Sequence, residues 1–169
     1  VQQARATLTE VIILKIETYN GRFDNEIIAL ILSIQNDETK IGLSLQEQPD
    51  LLDIQVIISD GGEFWVALSN DRVIGTIVLM LKEKNCDVLK KIFVEKAFAH
   101  KKVGLSLYNE FLKYANSKGI EHIILNTPAV AHISRRFYEK DGFKRINSEE
   151  LPVLYYYPDR DSILYMLNL

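Results

Sequence analysis

A short basic stretch of the sequence has the residue types of an anion-binding loop. Residues 98–107 read FAHKKVGLSL; a strand-like run precedes them, and a helix-like run begins near Gly104. Free backbone N–H groups and the helix dipole at such a junction bind phosphate. Because the stretch has one glycine and three basic-type side chains, it is either a phosphate loop of unusual composition or an exposed charged loop.

Two lysines at the start of the helix favour the first interpretation. Lys101 and Lys102 lie where the helix dipole disfavours cations by about 0.3–1 kcal/mol each. A bound pyrophosphate would reverse that penalty, whereas screening by salt would make it negligible. A lysine can replace glycine in such a loop if its φ is negative, because the backbone N–H groups hold the anion. On the residues alone, an anion site and an exposed charged loop both stay open.

Apolar runs and alternation predict the elements that position this loop. The predicted strands are VIILKIETYN, EFWVALS, DRVIGTIVLML, DVLKKIFVE, HIILNT, LPVLYYY and SILYMLNL. The predicted helices are DNEIIALILSIQN, PDLLDIQVII, a segment over about residues 104–118, and HISRRFYEKDGF. The turn SNDR predicts a hairpin, and the turn PDRD predicts a C-terminal hairpin between the last two strands. This order of elements indicates an α/β layer fold with a mixed sheet.

Helical periodicity predicts the buried faces of the two later helices. Leu107, Phe111 and Ala115 are spaced four apart and give the first of these helices an apolar face. In the last helix, Ile133 and Phe137 are predicted to form the inner stripe.

Composition indicates one ordinary globular domain over residues 1–169. The 169 residues are 47% hydrophobic and 25% charged, and the net charge of −3 disfavours a nucleic-acid partner. The one cysteine, Cys86, excludes an intramolecular disulfide, and packing is its expected role. No apolar stretch is long enough to span a membrane and no signal-peptide pattern is seen, so a soluble cytoplasmic protein without a membrane partner is expected.

Charge is distributed unevenly along the chain. Residues 21–63 contain nine acidic and two basic residues, a net charge of −7, whereas residues 90–102 contain five lysines and one glutamate, a net charge of +4. The first segment could attract a cation and the second an anion. Two ordinary solvated faces explain the same pattern equally well.

Two segments at a fixed separation resemble the GNAT superfamily of N-acetyltransferases. The first, VLKKIFVEKAFAHKKVGLSLYNEFLKYANSKG, resembles the family's strand, its phosphate loop Arg/Gln-x-x-Gly-x-Gly/Ala and the helix that follows. The second, SRRFYEKDGF, resembles the family's signature Phe/Tyr-Tyr-Glu-Lys-x-Gly-Phe. The resemblance implies a mixed, mostly antiparallel central sheet of six to seven strands flanked by about four helices. The chain departs from the family at Ala99, where Arg or Gln is usual, and at His100 and Lys102, where glycine is common.

The resemblance also implies a cosubstrate, acetyl-CoA, and the residues that would bind it. The pyrophosphate would lie on Ala99, His100, Lys101, Lys102, Val103, Gly104, Leu105 and Ser106. The pantetheine arm would lie between the KIFV and HIILNT strands, with Ile92, Phe93 and Val94 pairing with its amides. An acceptor amine would then attack the thioester carbonyl, and a strand N–H would stabilise the oxyanion.

Tyr138 matches the tyrosine that family members commonly use as general acid toward the leaving thiolate. A tyrosine at the edge of the core is the alternative interpretation. Asn126, Ser134 and Phe137 are further candidates for contact with the cosubstrate, although a turn asparagine and a helix-surface serine are equally ordinary.

The general base is left unassigned. The family's usual glutamate position is occupied by Val88, and the nearby acids Glu63, Asp87 and Glu95 are expected to be solvated strand-end residues. His122 and His132 have no ligand partners at metal spacing, so no metal is expected.

The acceptor and the assembly are expectations by analogy. The acidic segment, residues 21–63, would lie over the acceptor site, which favours a cationic amine such as a polyamine, an amino sugar or a basic peptide. Many relatives are dimers, so a homodimer is expected. Two other functions stay open: a non-catalytic acyl-CoA-binding module or sensor on the same fold, and an interaction domain that uses the aromatic C-terminal hairpin.

Overall fold

A mixed sheet organises the chain. The computed structural model describes residues 14–83, 85–157 and 161–169, and within them seven strands form one sheet in the order β1-β2-β3-β4-β5-β7-β6. The strands are β1 (Leu14–Thr18), β2 (Glu63–Ser69), β3 (Arg72–Met80), β4 (Cys86–Val94), β5 (His122–Pro128), β6 (Lys144–Ile146) and β7 (Ser162–Asn168). Neighbouring strands are antiparallel except for the parallel pair β4–β5, which confirms the predicted sheet.

Helices cover the sheet. Within the described residues they are α1 (Asp24–Ser33), α2 (Pro49–Leu52), α3 (Ile54–Ser59), α4 (Val103–Ser117) and α5 (His132–Lys140). A π-helical segment, Ile34–Glu38, extends α1. The predicted helix PDLLDIQVII is broken in two at Asp53, whose backbone (φ −143°, ψ 87°) is not helical. None of the described helices is long and apolar enough to cross a membrane.

The turn between β2 and β3 confirms the first predicted hairpin. Asn70 and Asp71 both have left-handed backbones, with φ of 49° and 59°. Two central residues with positive φ match the right-handed twist of the paired strands, and Asn and Asp tolerate that conformation.

Alternating strand residues point their side chains into two apolar layers, one on each face of the sheet. Trp65 and Ala67 of β2 point into the layer that packs against α4, together with Leu107 and Phe111. The intervening β2 residues point into the layer under α1 and α3, as Phe64 does. The predicted apolar face of α4 is therefore confirmed, and burial of these side chains from both layers holds the sheet between helices.

The predicted C-terminal hairpin is wrong. The strand that pairs with the outer edge of β7 is β6, and residues 151–157 form no strand. Because β5 and β6 already occupy both edges of β7, the segment instead packs Val153 and Tyr155 beside Cys86 in a third apolar cluster. Most of the turn PDRD, residues 158–160, and residues 11–13 of the first predicted strand lie outside the described residues.

The predicted inner stripe of α5 is also wrong at one position. Ile133 is 81% exposed, while Tyr138 is buried. Phe137 is half-buried and meets the ring of Tyr108 edge-on at a centroid distance of 5.3 Å. The aromatic side chains of α4 and β7 therefore fix which face of α5 is turned inward.

Helix α4 approaches β3 closely at Gly75. A Cβ atom added there would lie 3.0 Å from Leu107 Cδ1, 3.1 Å from the Phe93 carbonyl oxygen and 3.3 Å from Val103 Cγ1. The absence of a side chain at Gly75 thus sets the distance between the helix and the sheet.

Gly75→Ala is expected to lower the free energy of unfolding by about 1–3 kcal/mol, because the added methyl group overpacks this contact. Urea unfolding measures the effect. Gly104→Ala is the matched control, since a Cβ there meets only Val94 Cγ2, at 3.6 Å. Equal stability of Gly75→Ala and wild type would contradict the prediction.

Candidate active site

The parallel pair β4–β5 separates after three residue pairs. Residues 86–88 pair with residues 122–124, and beyond them β4 continues to Val94 without pairing with β5. On its other side, β5 stays paired with β7 as far as Pro128. The facing edges of β4 and β5 therefore present backbone N–H and C=O groups to an open gap.

A β-bulge bends β4 beside this gap. The register shift between Thr76 and Val78 places two β4 residues, Lys91 and Ile92, opposite one residue of β3. Lys91 has a left-handed backbone, with φ of 53°, and Thr76 Oγ1 donates a hydrogen bond to its carbonyl oxygen at 2.6 Å. Since a bulge bends the strand that carries it, the end of β4 turns away from β5.

The N-terminus of α4 opens into the same gap. A 3₁₀ turn, Lys96–Phe98, leads to Lys102 at the N-cap position. In the described chain, no side chain caps α4 and no acidic residue lies in its first turn. The first N–H groups of the helix have no partners within it and are available to an anion.

The backbone of Lys102 corrects a sequence-based expectation. Its φ is 58°, not negative, and it is the residue at which the chain enters α4. The lysine thus adopts the left-handed conformation that glycine usually supplies.

Strand edges, the start of α4 and α5 together enclose a large cleft. Its volume is about 1770 Å³, above the roughly 300–1,000 Å³ of a pocket for a drug-sized ligand. The cleft brings together most of the residues predicted from the sequence: Ile92, Phe93, Val94, Ala99, Lys102, Gly104, Leu105, Asn126, Ser134, Phe137 and Tyr138.

Four predicted residues lie elsewhere. Val103 is buried in the core under the loop. Ser106 Oγ donates a hydrogen bond to the carbonyl oxygen of Lys102 at 3.0 Å. His100 and Lys101 are exposed on the turn. Of the three basic-type residues in the loop, Lys102 is the one that lines the cleft.

Tyr138 forms part of the cleft wall and is 4% exposed. Its ring packs against Phe137, Phe143 and Tyr165 at centroid distances of 5.8, 5.5 and 6.2 Å. Burial raises the pKa of the Tyr138 hydroxyl above its usual value, so the group keeps its proton at neutral pH. A protonated hydroxyl in this wall can donate to an atom bound in the cleft.

Two polar side chains flank Tyr138. Ser134 lies one helical turn earlier on α5 and lines the cleft as well. Asn126, near the end of β5, accepts a hydrogen bond of 3.3 Å from the hydroxyl of Tyr155.

The three acids considered as bases have different surroundings. Asp87 was expected to be solvated, and this is wrong: it is 1% exposed and accepts a hydrogen bond from the backbone N–H of Lys82 at 3.1 Å. Burial raises its pKa. Glu95 forms an ion pair with Arg72 at 2.5 Å, and Glu63 accepts from the N–H of Phe64. Each is outside the cleft lining.

A buried polar network that the sequence analysis missed surrounds the bulge. Lys91 Nζ donates to Gln48 Oε1 and lies 3.6 Å from Asp50 Oδ2. Gln35 and Gln48 exchange amide hydrogen bonds of 3.0 and 2.8 Å. Burial lowers the pKa of Lys91 to about 8, although the charge of Asp50 opposes the shift.

The π-helical segment helps to position this network. It begins at Ile34 and carries Gln35, which is 4% exposed, into the cleft wall. Single π-helical turns are rare and frequently occur at functional sites. The sequence did contain one signal of the buried polar network around Lys91. The run VLKKIFV has two lysines among apolar residues, and lysine is seldom found inside a strand.

Nothing in the described residues forms a metal site. No group of three or more His, Cys, Asp or Glu side chains in residues 14–83, 85–157 and 161–169 is placed to hold an ion. His122 instead bonds through Nδ1 to Asn168 Oδ1 at 2.8 Å.

Comparison with known proteins assigns the family. The profile of the Acetyltransferase (GNAT) family matches residues 28–143, which include the bulge, the gap and α4. The chain belongs to the GNAT acetyltransferase family. A GNAT acetyltransferase from Staphylococcus aureus MU50 has 33% identity and a TM-score of 0.89, over 92% of this chain and 99% of that one. The family resemblance and the fold expected from the sequence are thus confirmed.

Two further relatives are a protein solved with coenzyme A and a protein that is longer than the region it shares with this chain. PaiA N-acetyltransferase from Thermoplasma acidophilum, solved in complex with coenzyme A, shares the fold, with a TM-score of 0.76 at 18% identity over 93% of this chain and 99% of that one. Probable N-acetyltransferase camello from Xenopus tropicalis is 28% identical over 109 residues, which are 62% of this chain and 50% of that protein. The chain thus spans half the length of this relative.

Replacing Lys102 tests the strain at the start of α4. Lys102→Gly is expected to raise the free energy of unfolding by up to about 1 kcal/mol, because a left-handed backbone is unfavourable for residues with a Cβ. Lys102→Val should lower it by about 1 kcal/mol or more, since β-branched residues tolerate positive φ poorly. Urea unfolding measures both. A more stable valine variant than glycine variant would contradict the assignment of strain.

Proposed function

We propose that the chain is an acetyl-CoA-dependent N-acetyltransferase that transfers an acetyl group to a primary amine. One observation carries the proposal: the gap between β4 and β5 leads directly to the uncapped N-terminus of α4. An elongated molecule with amides at one end and phosphates at the other fits both features. The GNAT family and its CoA-bound members supply the cosubstrate class.

The phosphate end of the cleft fits the proposed cosubstrate. A Cβ at Gly104 would touch the protein only at Val94 Cγ2, so packing within the chain does not require glycine there. A close approach of a bound pyrophosphate to the backbone explains the glycine at this position better than packing within the chain does. Lys102 lines the same end and supplies a positive charge.

The strand edges would orient the pantetheine arm. Residues 92–94 can pair with its amides as an added strand would, which is how exposed sheet edges bind extended ligands. This pairing would bring the thioester to the bulge. A backbone N–H of β4 would then stabilise the negative charge on the carbonyl oxygen while the amine nitrogen bonds to the acyl carbon.

Tyr138 would complete the transfer. As the carbon–sulfur bond breaks, the thiolate needs a proton, and the Tyr138 hydroxyl in the cleft wall carries one at neutral pH. The attacking amine gives up its own proton to solvent or to a base. A non-catalytic acyl-CoA sensor on the same fold would bind the cosubstrate without this step.

Gly104→Ala separates binding from folding. We expect its affinity for acetyl-CoA to fall at least about tenfold, because the methyl group blocks the approach of the pyrophosphate to the α4 N–H groups. Its stability should equal or slightly exceed that of wild type, since alanine favours helix. Calorimetric titration and urea unfolding measure the two quantities. Unchanged affinity, or no acetyl-CoA binding by wild type, would refute the proposed site.

Tyr138→Phe tests the general acid. We expect kcat to fall by about 10²–10⁴-fold while the dissociation constant of acetyl-CoA stays unchanged. Steady-state release of the CoA thiol measures kcat, and calorimetry measures the dissociation constant. Tyr165→Phe is the control, because Tyr165 lies in the same aromatic cluster but its hydroxyl donates to Glu139 at 2.6 Å. Full turnover by Tyr138→Phe would exclude the role, and no turnover by wild type would favour the sensor.

A further inference from the structure

A cluster of lysines lies at the end of the cleft opposite the α4 loop. Lys90 and Lys91 are consecutive on β4, so a regular strand would point them to opposite faces. Both lysines nevertheless line the cleft, and both interact electrostatically with Asp50. The bulge at Lys91 therefore places two cations on one side of the strand. Lys82 lines the cleft there too and is close enough to affect Lys90 electrostatically.

Positive charge exceeds negative charge in this cluster. Asp50 lies 3.6 Å from Lys91 and is the only carboxylate within ion-pair distance of the three lysines in the described parts of the chain. The side chains of Lys91 and Asp50 are 10% and 12% exposed. Lys90 has no such partner there, and its ammonium lies 6.0 Å from the centre of the Tyr155 ring. Burial of an unpaired ammonium is costly unless an anion compensates it.

The acids of residues 21–63 do not supply that anion. Those that line the cleft besides Asp50 are Asp37, Glu38, Glu47 and Asp60, and all are exposed. Glu47 accepts hydrogen bonds from Ser44. Exposed charges are screened by solvent, whereas the lysines on the cleft floor are half-buried.

We propose that Lys90, assisted by Lys82 and Lys91, binds a carboxylate group of the amine acceptor. The inference rests on the proposed function, because the cluster lies at the bulge, to which pairing of the pantetheine amides with residues 92–94 would bring the thioester. A carboxylate held there would place an amine a few bonds away within reach of the acyl carbon. The substrate class is thus a small amino acid or a similar amino carboxylate. The cationic acceptor expected from the acidic segment is the competing outcome.

The surrounding network holds the cluster in place. Gln48 accepts from Lys91 and is itself paired with Gln35 on the π-helical segment. Lys91 is therefore tied to Asp50 and Gln48, which leaves Lys90 as the cation free to meet a ligand. Its position beside the Tyr155 ring keeps the cleft floor partly apolar.

Binding of glutarate tests the inference without turnover. Glutarate carries carboxylates and no amine, and calorimetry would follow its binding to the CoA-saturated protein. We expect binding that Lys90→Gln weakens by about 10- to 100-fold, the range of a charge-assisted hydrogen bond. Lys113→Gln, an exposed lysine on α4, is the control and should bind like wild type. Equal binding by Lys90→Gln, or no binding of millimolar glutarate, would overturn the inference.

Turnover with matched amines separates this inference from the proposed function. Amino acids are expected to give a kcat/KM at least about tenfold higher than their α-amides and than spermidine, and Lys90→Gln should remove that preference. Preferential transfer to amides or spermidine would overturn the carboxylate site alone. Failure of wild type to bind acetyl-CoA would overturn the proposed function instead. An unchanged acetyl-CoA affinity shows that Lys90→Gln is folded.

Discussion

The separation of β4 from β5 is the constraint on which the rest of the site depends. Parallel strands that stayed paired would close the sheet and leave no exposed backbone in its middle. Here pairing stops after residue 88 of β4, and the bulge at Lys91 bends the strand away. Thr76, which is fully buried, fixes that bend through its bond to the Lys91 carbonyl. Helices pack against both faces of the sheet on either side of this irregularity.

The same bulge shapes both ends of the cleft. Toward α4 it leaves strand edges that can pair with amides and lead to uncapped N–H groups. In the other direction it brings Lys90 and Lys91 to one side, where Asp50 is the one carboxylate of the described residues within ion-pair distance and cannot balance both charges. In our two proposals, one local irregularity of the backbone thus contributes both to donor binding and to acceptor selection. Bulges beside active sites commonly re-aim side chains in this way.

The glycine-poor loop shows that backbone geometry, rather than residue type, makes this helix N-terminus available. Lys102 adopts positive φ where glycine is usual in the family, and no side chain in the described chain competes for the first N–H groups. The retained Gly104 lies where open space, not packing, accounts for the missing side chain. A loop can therefore keep the backbone shape of a motif when its residue types depart from that motif.

The sequence by itself determined the strands β2 to β5, the apolar face of α4 and the family, because hydrophobic periodicity and two spaced motifs are local properties. The strand predicted over residues 151–157 was wrong. Alternation of apolar residues carries no information about strand pairing, and β6 already occupies the edge of β7. Only the tertiary structure decided that Asp87 is buried and Ile133 exposed, because neighbouring elements set those environments. It alone also assembled Gln35, Gln48, Asp50 and Lys91, which come from three separate segments of the chain and meet where β4 bulges.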